Sequence, residues 1–225
     1  MSERPLRVLS VAHTAAERAA GRLRYHPLAG RGDLDVHLVV PRRWRQFGRV
    51  IEADAADDPG IAVHIMPIWF PWGGPAHWYL HLYPGLGRRI RDLRPDVIHL
   101  WEEPWSLVAL QAALLRKGAA LVLEVDQNIL KRLPPPFEAI RRYVLRATDH
   151  ILSRSPDATA VVRACGYRGP VTEGGYGVDR DTFHPAPQAA RAPGLRLGYV
   201  GRLVVEKGLD DALEAMARSA PDVTL

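Results

Sequence analysis

The chain has 225 residues, 47% of them apolar and 24% charged, with a net charge of +5 at neutral pH. That length and apolar content allow a sizeable core, and the composition excludes a disordered or low-complexity chain. A single cysteine, Cys165, excludes an internal disulfide or a thiolate zinc site and fits a reducing cytoplasm.

The opening segment MSERPLRVLSV has too short an apolar run for a secretory signal, with Pro5 and Arg7 interrupting it. Leu6 to Val11 reads as a first strand. Glu17 to Ala29 has helical character, with Pro27 expected to end or bend it. Val36 to Val40 is a second strand, stopped by Pro41, and Ala62 to Ile65 a weaker third. Ala76 to Leu93 is helical with an interruption at Pro84 and Gly85. Asp96 to Leu100 is a strand after a helix end at Arg94-Pro95. Trp105 to Arg116 is helical, Ala120 to Val125 a strand, and Phe137 to Ala147 an amphipathic helix announced by Pro134-Pro135-Pro136. His150 to Ser153, a helix over Asp157 to Ala164 and a short strand over Val171 to Glu173 follow.

The strands are near-continuously apolar, as strands buried on both faces are, and they alternate with helices. This predicts a doubly wound, Rossmann-like α/β sheet whose ligands sit beyond the C-terminal strand ends. The loops after Val11, Val40, Leu100 and Val125 are therefore the places for chemistry. Residues 1–186 are expected to form this domain. Residues 187–193, rich in alanine and proline, read as a linker. From residue 194 a second domain starts, with a strand at Leu195 to Val200, a helix from Gly208 to Ala217 and a strand opening at Val223. A lone strand–helix–strand cannot bury its own faces, so this second domain is expected to be incomplete.

The segment Gly198 to Gly208, GYVGRLVVEKG, places Arg202 at a strand tip and Lys207 just before a helix N-terminus. Free N–H groups of that terminus, with one guanidinium and one ammonium, suit a diphosphate without a metal. Gly201 and Gly208 allow the backbone close to a ligand. Local physics leaves a surface loop with two solvated cations equally open. The basic balance of the chain likewise suits an anionic partner without choosing among nucleic acid, a nucleotide-sugar phosphate and a membrane surface.

GRLVVEKG resembles the GR-L-x-x-x-KG segment of family 4 glycosyltransferases, enzymes of the type B fold with two facing Rossmann-like domains. Tyr176-Gly177-Val178-Asp179 with Asp181 to Pro185 is similar to the family's domain-junction signature. Asp96 to Leu100 with Glu102-Glu103-Pro104 is similar to its DVVH region. Gln127-Asn128-Ile129, the Lys131 to Pro136 run and Arg146 to Asp149 add a further match, all in family order. The resemblance implies a retaining glycosyltransferase in which Arg202 and Lys207 bind the donor diphosphate and stabilise its departure, with Gly201 and Gly208 lining the donor site. It implies a nucleotide sugar as donor, a sugar or lipid-linked acceptor, no cofactor and no metal. His13, Glu102, Glu103, Gln127 and Asn128 are the candidates for holding the acceptor or the transferred sugar.

The first loop, Ala12 to Ala16, lacks the paired glycines usual in the family, and Gly21 comes late; His13 is expected to substitute. Asp126, Gln127 and Asn128 stand where relatives carry a histidine. The family's late glutamate pair has no counterpart before Leu225, so these residues are expected to carry the fold signature and the acceptor half and to be inactive alone. His77 and His81 have the i, i+4 spacing of metal ligands, but Trp78 replaces the glutamate of a metalloprotease helix, and no metal is expected. His99 reads as a satisfied core histidine. Trp44 and Phe47 among arginines, and Trp69, Phe70 and Trp72 in a Pro/Gly-rich loop, read as partly buried aromatics beside solvated charge. The alternative use is a peripheral contact with the inner face of a membrane rather than nucleic acid. No apolar run approaches the ~20 residues of a spanning helix. The competing function is a non-catalytic module that binds an acceptor or partner. A phosphorylase-like reaction on the same fold lacks any sign of its cofactor site.

Overall fold

The computed structural model describes residues 4–46, 48–70, 77–185, 195–201, 203, 205–219 and 223–224. They fall into two compact units, Met1–Gly177 and Val178–Leu225.

The first unit contains strands β1 (Leu6–Val11), β2 (Leu34–Pro41), β3 (Arg43–Gln46), β4 (Arg49–Glu52), β5 (Ile61–Met66), β6 (Val97–Leu100), β7 (Ala120–Val125), β8 (His150–Ser153) and β9 (Val171–Glu173). Its helices are α1 (His26–Ala29), α2 (His77–Leu80), α3 (Leu86–Leu93), α4 (Leu107–Leu115), α5 (Phe137–Ala147) and α6 (Pro156–Ala164). Seven strands form one sheet in the order β5-β2-β1-β6-β7-β8-β9, every neighbour parallel. This is the doubly wound, Rossmann-like α/β architecture. The chain winds outward from β1 in both directions, so the loops after β1 and β6 part and leave a crevice between them.

Local chemistry explains the boundaries. Ser106 and Ser155 cap α4 and α6, their hydroxyls accepting from the amides of Ala109 and Ala158 at 3.2 and 3.1 Å. Pro156 occupies the first turn of α6, where no amide is needed. Arg94, at φ +50°, ends α3 in the left-handed region ahead of Pro95.

One sheet face is fully buried. Leu9, Val11, Ile98, Leu100, Leu121, Leu123 and Ile151 pack against Leu86 and Ile90 of α3, Val108 and Ala112 of α4, Val144 of α5 and Val162 of α6. On the other face Val36, Leu38 and Val40 pack with Ala12, Ala15, Tyr25 and Ile61. There Val97, Val122 and Leu152 are only half-buried and line a hollow of about 320 Å³. Cover is thin because the single helix expected over Glu17 to Ala29 does not form. Short helical turns replace it: His13–Ala16, Arg18–Arg22, Leu23–Tyr25 and α1, with Pro27 in the first turn of α1 rather than at its end.

Two residues break that helix. A Cβ on Gly21 would lie 2.3 Å from the carbonyl oxygen of Thr14, so glycine alone lets the segment press onto the loop that follows β1. Arg22 is wholly buried and donates to Ala15 O at 2.9 Å, Ala16 O at 3.2 Å, Asp54 O at 2.7 Å and Asp58 Oδ2 at 3.1 Å. Asp58 also receives Arg18 at 2.8 Å and His26 at 3.1 Å. One buried guanidinium thus ties the segment to carbonyls outside it, of Ala15, Ala16 and Asp54, and to the Asp58 carboxylate.

The β3–β4 hairpin was not expected. Its antiparallel pairing, Arg43↔Glu52 to Gln46↔Arg49, turns the basic cluster outward and Trp44 inward, where it is buried.

In the second unit β10 (Leu195–Arg196) pairs in parallel with β11 (Val223–Thr224), and α7 (Leu209–Ala217) lies between them in sequence. The strand expected to reach Val200 stops at Arg196, and Val200, Leu203 and Val205 are exposed. Gly208, at φ +62°, adopts the left-handed turn into α7.

Candidate active site at the switch point

The crevice between the β1 and β6 loops is built by two backbone continuations. The Ala12 amide donates to Val39 O at 3.1 Å, and the Trp101 amide to Val11 O at 3.0 Å. This brings the Glu102 side chain under the turn at His13. Glu102 Oε1 accepts the His13 amide at 2.9 Å and Oε2 faces His13 Nδ1 at 2.7 Å. An imidazole held this way carries its proton on Nδ1 and leaves Nε2 for the cleft that His13 lines. The Glu102 side chain is 1% exposed and that of His13 14%, so the carboxylate sits behind the ring it orients. His81, fully buried, approaches the same carboxylate, Nε2 to Oε1 at 3.7 Å. Trp44 packs on both rings, centroids 4.4 Å from His13 and 4.9 Å from His81. Burial would raise the Glu102 carboxyl, but the two imidazoles outweigh it and bring it down to about 2.

The cleft has a volume of about 160 Å³ and is walled by Thr14, Trp78, Trp101, Glu103 and Asp126 with the His13–Glu102 pair. Burial first, then the nearby Asp126, pushes Glu103 up to about 8, so at neutral pH it is mostly protonated. Asp126, exposed in the loop after β7, accepts a hydrogen bond from the Tyr176 hydroxyl at 2.9 Å. Tyr176, the first residue of the junction signature, therefore meets the β7 loop at Asp126.

Glu124 stands at the floor. Its buried carboxylate receives both Nη atoms of Arg24, at 2.9 and 2.5 Å, and Arg154 at 2.8 Å, with His99 Nε2 at 3.2 Å. Arg24 also lies 3.9 Å over the Trp101 ring. Against the upward push of burial, His99 and Arg24 bring Glu124 down to about 2. A depressed folded value means stability that is complete above about pH 4.5 and lost as pH falls toward about 2. We expect this carboxylate to account for a loss on the order of 2–3 kcal/mol between about pH 6 and pH 2.5. Urea unfolding at both values, in the wild type and in Glu124→Gln, checks it: that share of the loss disappears in the variant.

Among the expected site residues, the structure brings His13, Glu102 and Glu103 together. Gln127 lines a smaller hollow beside Glu103, Trp105 and Lys131, and Asn128 is exposed in the same loop. Gly201 is exposed, and Lys207 is exposed immediately before Gly208. Arg202 lies outside the described residues, as do Phe47 and Trp72. His99 is half-buried, with Nδ1 held by Ser10 Oγ at 2.8 Å and Nε2 facing Glu124 at 3.2 Å. His81, Trp44, Asp126 and Glu124 are the members sequence reasoning did not assign to the site, although the His81 spacing to His77 and the place of Asp126 in the β7 loop both drew notice.

A Rossmann-like sheet with a carboxylate-oriented imidazole in its switch-point cleft has the architecture of a ligand-binding α/β domain. The chain belongs to Glycosyltransferase Family 4, whose family model matches residues 8–182. A search of the curated proteins finds no match. Among solved structures the chain is similar to the Glycyrrhiza uralensis protein UGT73P12, crystallised with glycyrrhetinic acid 3-O-monoglucuronide. The identity is 13% and the TM-score 0.42, covering 75% of this chain and 48% of that one, so the chain spans about half the length of that protein. No helix among the described residues is long and apolar enough to cross a membrane.

Proposed function

We propose that this chain serves the transfer of a sugar from a nucleotide-sugar donor to a hydroxyl acceptor, a sugar or a lipid-linked sugar, in the cytoplasm and with retention of anomeric configuration. The observation that carries this reading is the His13–Glu102 pair, 2.7 Å apart, opening on a cleft of carboxyl groups and indoles. Carboxylates and an imidazole hydrogen-bond sugar hydroxyls, and indole faces cover the apolar faces of a sugar ring. Family membership supports transfer chemistry. Arg202 and Lys207 take the donor diphosphate, whose departure needs charge neutralisation and no metal. Gly201 and Gly208 keep the backbone near it. Asp210 and Asp211 in the first turn of α7 oppose an anion there, which makes the two cations more necessary. Gln127 and Asn128 reach the sugar from the β7 loop. Exposed Trp69 and Phe70 supply a peripheral membrane contact if the acceptor is lipid-linked.

The same pair favours a second reading of the stereochemistry. An imidazole with Nε2 free and Nδ1 on a carboxylate is the arrangement of a general base. Acting on an acceptor hydroxyl opposite the leaving group, it gives inversion. In the full-length enzyme, Arg202→Ala and Lys207→Ala are each expected to lower transfer by about a hundredfold. Turnover at the wild-type level in both variants overturns the donor assignment. NMR of the newly formed anomeric centre separates retention from inversion.

A further inference from the structure

Buried polar atoms lacking a hydrogen-bond partner gather around Glu102. Among the described residues they include Thr14 Oγ1, both ring nitrogens of His81, Tyr83 Oη and Glu103 Oε2. Thr14, Glu102 and Glu103 line the same cleft, and the Tyr83 ring lies 5.7 Å from that of His81. A fully buried imidazole with neither nitrogen satisfied is costly, and such groups call for an ion or ordered water.

The donor atoms fit an ion. One nitrogen each from His13 and His81 and one oxygen of Glu102 lie within 4.8 Å of one another. His13 Nδ1 lies 2.7 Å from Glu102 Oε2 and His81 Nε2 lies 3.7 Å from Glu102 Oε1, so both imidazoles already stand at the carboxylate within the range of the ~3.3 Å donor separations around a tetrahedral zinc ion. Two imidazoles and one carboxylate suit a borderline ion such as Zn²⁺, whereas Mg²⁺ and Ca²⁺ prefer oxygen throughout. The ligands come from the β1 loop, the turn between α2 and α3 and the β6 loop. Trp44 packs on both rings and limits their motion.

We propose that His13, His81 and Glu102 form a three-ligand site for a divalent ion of the Zn²⁺ class, with a fourth position open to the cleft for an oxygen ligand such as water or an acceptor hydroxyl. Loading the ion replaces the His13–Glu102 hydrogen bond, and the His13 ring proton moves from Nδ1 to Nε2, where it faces the cleft as a donor. The site is separate from the diphosphate chemistry assigned to Arg202 and Lys207, and it stands or falls on metal binding alone.

The test is a titration of the chelator-treated whole chain with Co²⁺, followed by the visible d–d bands of four- or five-coordinate cobalt. We expect saturation at one equivalent and displacement by Zn²⁺. Affinity should fall by more than about a hundredfold in His81→Ala. His13→Gln, at the cleft surface, should give the same loss and serves if His81→Ala fails to fold. Bands that persist in a folded His13→Gln or His81→Ala variant overturn the proposal. So does a folded wild type that develops none, since water then satisfies these atoms.

Discussion

Asp58→Ala is expected to destabilise the domain by about 3–5 kcal/mol, a large share of the stability of a domain this size. The reason is Arg22. Its guanidinium is wholly buried, and Asp58 is its only carboxylate partner among the described residues, at 3.1 Å. Removing the carboxylate leaves a buried charge compensated only by carbonyl oxygens, and frees Arg18 and His26 as well. Asp58→Asn keeps the shape and one acceptor and should recover part of the loss. Urea denaturation of both variants, with circular dichroism to confirm the fold, measures it. A loss under about 1 kcal/mol in Asp58→Ala would show that Arg22 is satisfied by backbone alone.

Much of this molecule is legible in its sequence because strands and helices carry their own signals. Ala120–Val125, Phe137–Ala147 and His150–Ser153 fall where apolar runs and Pro134-Pro135-Pro136 place them. Arg94-Pro95 marks a helix end as expected, while the caps at Ser106 and Ser155 emerge only in the structure. The failures share one cause. The helix over Glu17 to Ala29 has acceptable local propensity, yet Gly21 and Arg22 are committed to partners at Thr14, Asp54 and Asp58, which no local pattern reveals. The β3–β4 hairpin hides in a run of arginines because, among the described residues of its strands, only Trp44 is fully buried.

The site divides the same way. His13, Glu102 and Glu103 are legible as residues at strand tips. That Glu102 turns back to orient His13, while its neighbour Glu103 is pushed the opposite way by burial and Asp126, follows only from how the β1, β6 and β7 loops meet. His81 meets His13 and Glu102 through the fold, since α2 ends at Leu80, before it.

Glu102→Gln is expected to produce the larger functional effect, a fall in transfer of about a hundredfold or more with little change in fold. The amide keeps the shape and a hydrogen-bond acceptor for the His13 amide or ring. It loses the charge that favours the Nδ1–H tautomer and that would stabilise an imidazolium. His13 then no longer presents a fixed lone pair to the cleft.

The most direct test of the switch-point site is nitrogen NMR of the His13 ring in the metal-free chain, alone and with a panel of sugar acceptors and nucleotide sugars. The geometry predicts a proton on Nδ1 in the wild type, loss of that preference in Glu102→Gln, and saturable movement of the His13 signals when a sugar binds. A proton on Nε2 in the free wild type, or saturable sugar binding that leaves His13 unmoved, would contradict it.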